Sequence, residues 1–285
     1  MKKILLTIAT VAVVAVSAWA QITYVQAGKA YVFTGSPSYG TSISYQWYRN
    51  GQPIQGETGA SYTLPGSLAH GERVEIKRGT MSAACPDEVN YTNSFTLTFC
   101  NVVTGAIPNA VCWADVNVDY YQTFAIRPDM HTRFYQWNRT TAYSVSDPLT
   151  PAWNNTVPES ETWTVNPCPI GWRLPTLSEM QALNNTGSVW TAANDKGNAV
   201  AGRFYGPSYN SCSLLTSMEG CIFLPASGYR FRVDGTLGNR NTYLYIWTST
   251  QASSTEGYHL NANSGSSNPT LNIGKAYGFP IRCVR

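Results

Sequence analysis

Two short segments constrain this chain more than any others: Cys168-Pro-Ile-Gly-Trp-Arg-Leu-Pro-Thr176 and the terminal Gly278-Phe-Pro-Ile-Arg-Cys283-Val-Arg285. The first packs two prolines, a glycine, a tryptophan, an arginine and a cysteine into nine residues. The second brings a cysteine and two arginines to the end of the chain. A disulfide between Cys168 and Cys283, 115 positions apart, would close everything between them into one loop. The end of the chain would then return to the start of the first motif.

Such a bond belongs to an oxidising compartment, and the N-terminus reads the same way. Lys2 and Lys3 precede an almost wholly apolar run from Ile4 to Val16, and Ser17-Ala-Trp-Ala20 supplies small residues before a cut. Residues 1–20 are therefore expected to be a secretory signal peptide, with a mature chain from Gln21. The run is too short for a membrane span, and no later stretch approaches the ~20 apolar residues that one needs. No cysteine follows the cut, so no bacterial lipid anchor is expected. The expected location is secreted, extracellular or cell-surface, with the periplasm open.

Of 19 basic residues, loss of Lys2 and Lys3 leaves 17 against 16 acidic ones, a net charge of +1. That is no electrostatic footprint for nucleic acid. The seven cysteines argue for disulfides, and their odd number leaves one over. The expected pairs are Cys168–Cys283, Cys212–Cys221 and Cys100–Cys112, with Cys85 unpaired, although spacing alone does not decide connectivity. No two cysteines have the two-residue spacing of a zinc or redox motif, so no metal is expected; no cofactor is expected either.

Residues 21–101 read as an all-β, immunoglobulin-like sandwich. Ile43, Tyr45 and Trp47 alternate with polar residues, the period of a half-buried strand. Asn50-Gly51, a strong hairpin signal, follows. Tyr62 and Leu64, Val74 and Ile76, and Phe95, Leu97 and Phe99 mark further strands. Trp47 is expected in the core, although no cysteine precedes it to form the usual bond across the sheets. Gly105 and Pro108 interrupt the pattern near the boundary.

Residues 102–285 read as α+β. Thr176 followed by Glu179 makes a capping box for a helix that Asn184-Asn-Thr-Gly187 ends. The remainder is strand fragments and polar loops. Ala114-Asp-Val-Asn-Val118, Phe134-Tyr-Gln-Trp-Asn138, Cys168–Thr176, Leu224-Pro-Ala-Ser-Gly-Tyr-Arg230, Trp247-Thr-Ser-Thr250 and Ile281-Arg-Cys-Val-Arg285 occur in that order. The set resembles the Fibrobacter succinogenes major paralogous domain of exported bacterial proteins. Trp172–Thr176 with the terminal Arg-Cys-Val-Arg is also similar to the formylglycine-generating enzyme family, a distant relation in shape of C-type lectins. The resemblance implies a C-type-lectin-like α+β fold, and implies no activity by itself.

Little in the residues points to catalysis. His70, His131 and His259 are scattered, and no nucleophile elbow, zinc-protease or phosphate-loop motif occurs. Asp115, Asp119, Glu159, Glu161, Glu179 and Asp234 do not select a carboxylate pair by spacing, and Glu179 is explained by capping. An enzyme is not expected. Trp113, Trp137, Trp172 and Trp247 fall in or beside the quoted segments and read as core. The loop residues Trp153, Asn155, Trp163, Trp190, Tyr205 and Tyr209 are the ligand-binding candidates, since aromatic faces with nearby amides and hydroxyls suit sugars. The function expected is binding or adhesion, to a glycan or to a protein partner. The alternatives are a structural subunit of a surface assembly and a diverged formylglycine-generating-type enzyme working through thiols at Cys212 and Cys221. Oligomeric state is not legible.

Overall fold

The computed structural model describes residues 4–8, 12–16, 22–27, 30–34, 42–65, 71–83, 85–91, 95–105, 110–156 and 163–285. His70, Glu159, Glu161 and the side chain of Cys85 lie outside that set. The chain divides into two compact units, Met1–Ala110 and Val111–Arg285.

The N-terminal unit is all β among its described residues. One sheet runs Ala12–Val16, Ile4–Ile8, Tyr31–Thr34, Ser61–Leu64, with every pair antiparallel. The other runs Ile22–Gln26, Phe95–Cys100, Arg73–Ser82, Ile43–Arg49, Gln52–Pro53, and Cys85–Tyr91 also pairs with Arg73–Ser82. Asn50 and Gly51 take φ of 51° and 80°, the left-handed conformation that a tight hairpin between Ile43–Arg49 and Gln52–Pro53 requires. Trp47, 1% exposed, packs with Phe33, Tyr62, Leu64, Ile76, Leu97 and Phe99. Its indole N–H donates to the Gly59 carbonyl at 2.9 Å, so the buried polar atom is satisfied.

The all-β character expected of residues 21–101 is present. One sheet takes two of its four strands from residues 4–16, which the sequence reading set aside as a leader. Rich in Ile and Val, that segment suits a strand in the uncleaved chain.

The C-terminal unit is also nearly all β, which corrects the expectation of an α+β, C-type-lectin-like fold. Its one helix among the described residues is α1, Leu177–Asn185. The rest is several small sheets. Ser188–Thr191, Gly202–Tyr205 and Ile222–Pro225 form one. Leu244–Gln251, Glu256–Ala262 and Ser267–Gly274 form another. Tyr135–Gln136, Gly278–Phe279, Tyr229–Arg230 and Leu237–Gly238 form a third. The helix stays short because Gly187, at φ 96°, turns the chain straight into the strand Ser188–Thr191.

The strand Val111–Asn117 pairs antiparallel with the last strand, Arg282–Val284. Arg173 bridges to Val284, and Cys168 is bonded to Cys283 with Cα atoms 6.0 Å apart. The end of the chain therefore does return to the Cys168 motif. Arg282 is fully buried and donates to Asn117 Oδ1, the Ala114 carbonyl and the Phe223 carbonyl at 2.7, 2.7 and 2.6 Å. Burial pulls its pKa down to about 9, against the opposing charge of Asp115. Cys212 and Cys221 are bonded to each other, and Cys100 and Cys112 are both disulfide-bonded. Trp137 and Trp247 centre the main core, edge to face at 5.4 Å, with Tyr135, Tyr245 and Phe279 around them.

Candidate functional site

A groove of about 340 Å³ opens on the C-terminal unit, lined by Trp163, Thr164, Val165, Asn166, Arg173, Leu174, Thr176 and Ser249. Three chain segments build it, each held by local chemistry. Asn138, at φ 52°, accepts the amides of Thr164 and Val165 on one side-chain oxygen, both at 2.8 Å, and so fixes the wall from 163 to 165. The Trp163 ring is set edge to face on Trp137 at 4.6 Å, and its N–H donates to the Val165 carbonyl. Half-buried, the ring offers an apolar wall that cannot swing away.

The opposite wall is the start of α1. The Glu179 amide donates to Thr176 Oγ1 at 3.3 Å, and the Thr176 amide donates to Glu179 Oε2 at 2.8 Å. That is the capping box expected from the sequence. The Leu177 amide donates to Thr250 Oγ1 at 2.9 Å, and the Ser249 amide to the Pro175 carbonyl at 2.7 Å. These bonds bring Trp247–Thr250 alongside Trp172–Thr176 and complete the groove. Leu174 is 3% exposed and closes its floor.

Arg173 is the charged residue among the described lining. Its two terminal nitrogens donate to Glu179 Oε2 at 2.8 Å and Oε1 at 2.6 Å. Burial alone would push the Glu179 carboxyl up, but Arg173 and the Thr176 amide outweigh it and hold the carboxyl below its ordinary range. The groove thus has an aromatic wall, an aliphatic floor, hydroxyls at Thr164, Thr176 and Ser249, an amide at Asn166, and one charge that is neutralised in place.

Of the sequence candidates, Trp163 alone lines this groove. Trp153 is half-buried, lies 4.4 Å from the Tyr143 ring and donates its N–H to the Arg232 carbonyl at 3.1 Å. Asn155 is exposed and lines a separate cavity of about 200 Å³ with Arg232, Val233 and Ala276. Trp190 stands opposite Arg203 in its sheet. Tyr205 is no loop residue: it is fully buried in the strand Gly202–Tyr205. Its hydroxyl lies 2.7 Å from Ser267 Oγ, and burial pushes it up to about 12. Tyr209 packs against Gly187 and the cluster around the Cys212–Cys221 bond. All six candidates are aromatic or amide residues in turn-rich sequence, and such residues here serve mainly to pack irregular backbone.

Sequence reasoning missed Thr164, Asn166, Arg173, Thr176 and Ser249. A signal existed: within Trp172–Thr176 and Trp247–Thr250, polar residues sit next to core ones, which is how a segment that is core on one side and lining on the other reads.

Other chemistry finds little support in the geometry. Cys212 and Cys221 are 2% and 0% exposed and oxidised, so they present no thiol. Among the described residues, no group of three His, Cys, Asp or Glu side chains is placed to hold a metal ion. No helix among them is long and apolar enough to cross a membrane.

Comparison with solved structures returns a quinonprotein alcohol dehydrogenase-like protein of Bacteroides thetaiotaomicron VPI-5482. It is 9% identical, the match covers 94% of this chain and 49% of that one, and the TM-score is 0.24. The chain thus spans about half the length of that protein, and a likeness of this degree carries no argument about fold or activity. Comparison with curated proteins finds no match. The family model described as the Fibrobacter succinogenes major domain matches residues 88–285, well over half of the chain, and the chain belongs to that family.

Proposed function

We propose that this is an exported binding protein whose C-terminal unit takes a carbohydrate in the groove beside Trp163. The observation that carries the reading is the lining itself. A fixed indole face and Leu174 provide an apolar platform, and hydroxyl and amide groups from three segments surround it. Sugars present apolar C–H faces flanked by hydroxyls, and a volume of about 340 Å³ lies within the range of small-ligand sites. Export is supported by the leader-like residues 1–20 and by disulfides, which are compatible with an oxidising compartment.

The test is a glycan array probed with the wild type, Trp163→Ala, Thr164→Lys and Trp153→Ala. Binding lost in Trp163→Ala and Thr164→Lys and kept in Trp153→Ala supports the groove. Thr164 is exposed, so Thr164→Lys blocks the groove without disturbing the core on which Trp163 rests. Ile126 and Ile170 are 87% and 92% exposed, which favours a second reading: assembly through a protein interface. A folded protein that binds no glycan supports that reading and refutes the first.

A further inference from the structure

We infer that the groove selects neutral saccharides and discriminates against acidic ones. This rests on the carbohydrate reading and names the substrate class of the same site. An arginine beside an aromatic wall would ordinarily recruit a carboxylate or sulfate through a two-pronged pair of hydrogen bonds. Arg173 already makes that pair with Glu179, at 2.8 and 2.6 Å, and its first nitrogen also donates to the Leu174 carbonyl at 3.2 Å. A second carboxylate arriving here would meet a neutral couple.

The start of α1 offers an anion no better reception. The Leu177 and Glu179 amides of its first turn already donate to Thr250 Oγ1 and Thr176 Oγ1, so those donors are occupied. The remaining polar groups on the lining, the hydroxyls of Thr164, Thr176 and Ser249 and the amide of Asn166, are uncharged. Each is held by hydrogen bonds within the chain, to Asn138, to Ser178 and Glu179, to the Pro175 carbonyl, and to Trp172 and Cys168 respectively, and keeps a spare lone pair or N–H for a ligand. They suit hydroxyl groups, which both donate and accept.

The variant Glu179→Gln isolates the charge. Glutamine at this position still serves a capping box, so the wall stays in place while Arg173 loses its counter-charge. The probes are neutral hexose oligosaccharides and uronate oligosaccharides of equal length on one array, with the full chain as wild type and as Glu179→Gln. The wild type is expected to retain neutral probes and to bind uronates several-fold more weakly. Glu179→Gln is expected to raise the uronate-to-neutral ratio roughly twofold to fivefold, the range of one partly exposed charge pair. That gain should fade at high salt. Wild-type binding without charge preference, or a ratio unchanged in Glu179→Gln, overturns this inference and leaves the carbohydrate reading standing. Wild-type binding to neither probe class overturns both.

Discussion

Removal of the Cys168–Cys283 bond should cost the C-terminal unit far more than removal of Cys212–Cys221, and the difference follows from loop length. A cross-link acts mainly by restricting the unfolded chain, in proportion to the logarithm of the loop that it closes. The two bonds span 115 and 9 positions, for which that relation gives about 4.8 and about 2.6 kcal/mol. All four cysteines are almost fully buried, so alanine at each leaves comparable voids, and the comparison between the double variants isolates closure. Tryptophan fluorescence reports the right unit, since Trp113, Trp137, Trp153, Trp163, Trp172, Trp190 and Trp247 all belong to it. In urea, with a slope of about 2 kcal/mol per molar for a unit of this size, the midpoints of Cys168→Ala/Cys283→Ala and Cys212→Ala/Cys221→Ala should separate by about 1 M. Equal midpoints at equal slopes would refute the closure argument. They would mean that the pairing of Arg282–Val284 with Val111–Asn117 already holds the chain end in place, in the unfolded ensemble as well as in the fold.

Three further perturbations have signed outcomes. A Cβ at Gly257 would run into the ring of Trp137, so Gly257→Ala should destabilise the unit by about 1–3 kcal/mol; an unchanged melting temperature would show that the ring can move. Burial pushes His259 and His131 down to about 4. The unfolded chain, titrating near 6.5, then binds more protons between pH 6.5 and 4, and stability falls as pH is lowered through that interval. His259, at 3% exposure, accounts for about 3 kcal/mol of that loss, and His259→Asn should flatten the stability profile there by one proton; an unaltered slope would refute its assignment as a buried neutral ring. Expressed in an exporting bacterium, the mature chain should have the intact mass of residues 21–285, and retention of residues 1–20 would sink the leader assignment.

Local signals were read well from sequence, and global arrangement was not. The capping box at Thr176 and Glu179, the hairpin at Asn50-Gly51 and the core position of Trp47 each depend on a few neighbouring residues, and each is present in the structure. The return of Cys283 to Cys168 was legible because disulfides leave a countable residue type behind. The α+β expectation came from a single helix and a family likeness in shape. The strands that overturn it, such as Tyr135–Gln136 and Gly278–Phe279, are two residues long, too short to show any periodicity. Tyr205 was misplaced for a related reason. The Gly-Pro-Ser that follows it signals a turn, yet it ends the central strand of a three-stranded sheet and its ring is fully buried.

The quoted segments were read as core, and that was half right in a way that bears on the site. In Trp172–Thr176, Leu174 and Pro175 are buried while Arg173 and Thr176 face the groove. In Trp247–Thr250, Trp247 is buried and Ser249 faces it. The same hydrogen bonds that start α1 and dock it on Leu244–Gln251 therefore also set the groove wall. Binding in a groove lined by capping residues, as proposed, would cost little extra ordering there, because folding has already fixed Thr176, Glu179 and Arg173. The proposed recognition would then be tied to stability: Glu179→Ala would remove a cap and a counter-charge together, whereas Glu179→Gln removes only the charge. The two substitutions at one position thus separate what the helix needs from what the groove needs.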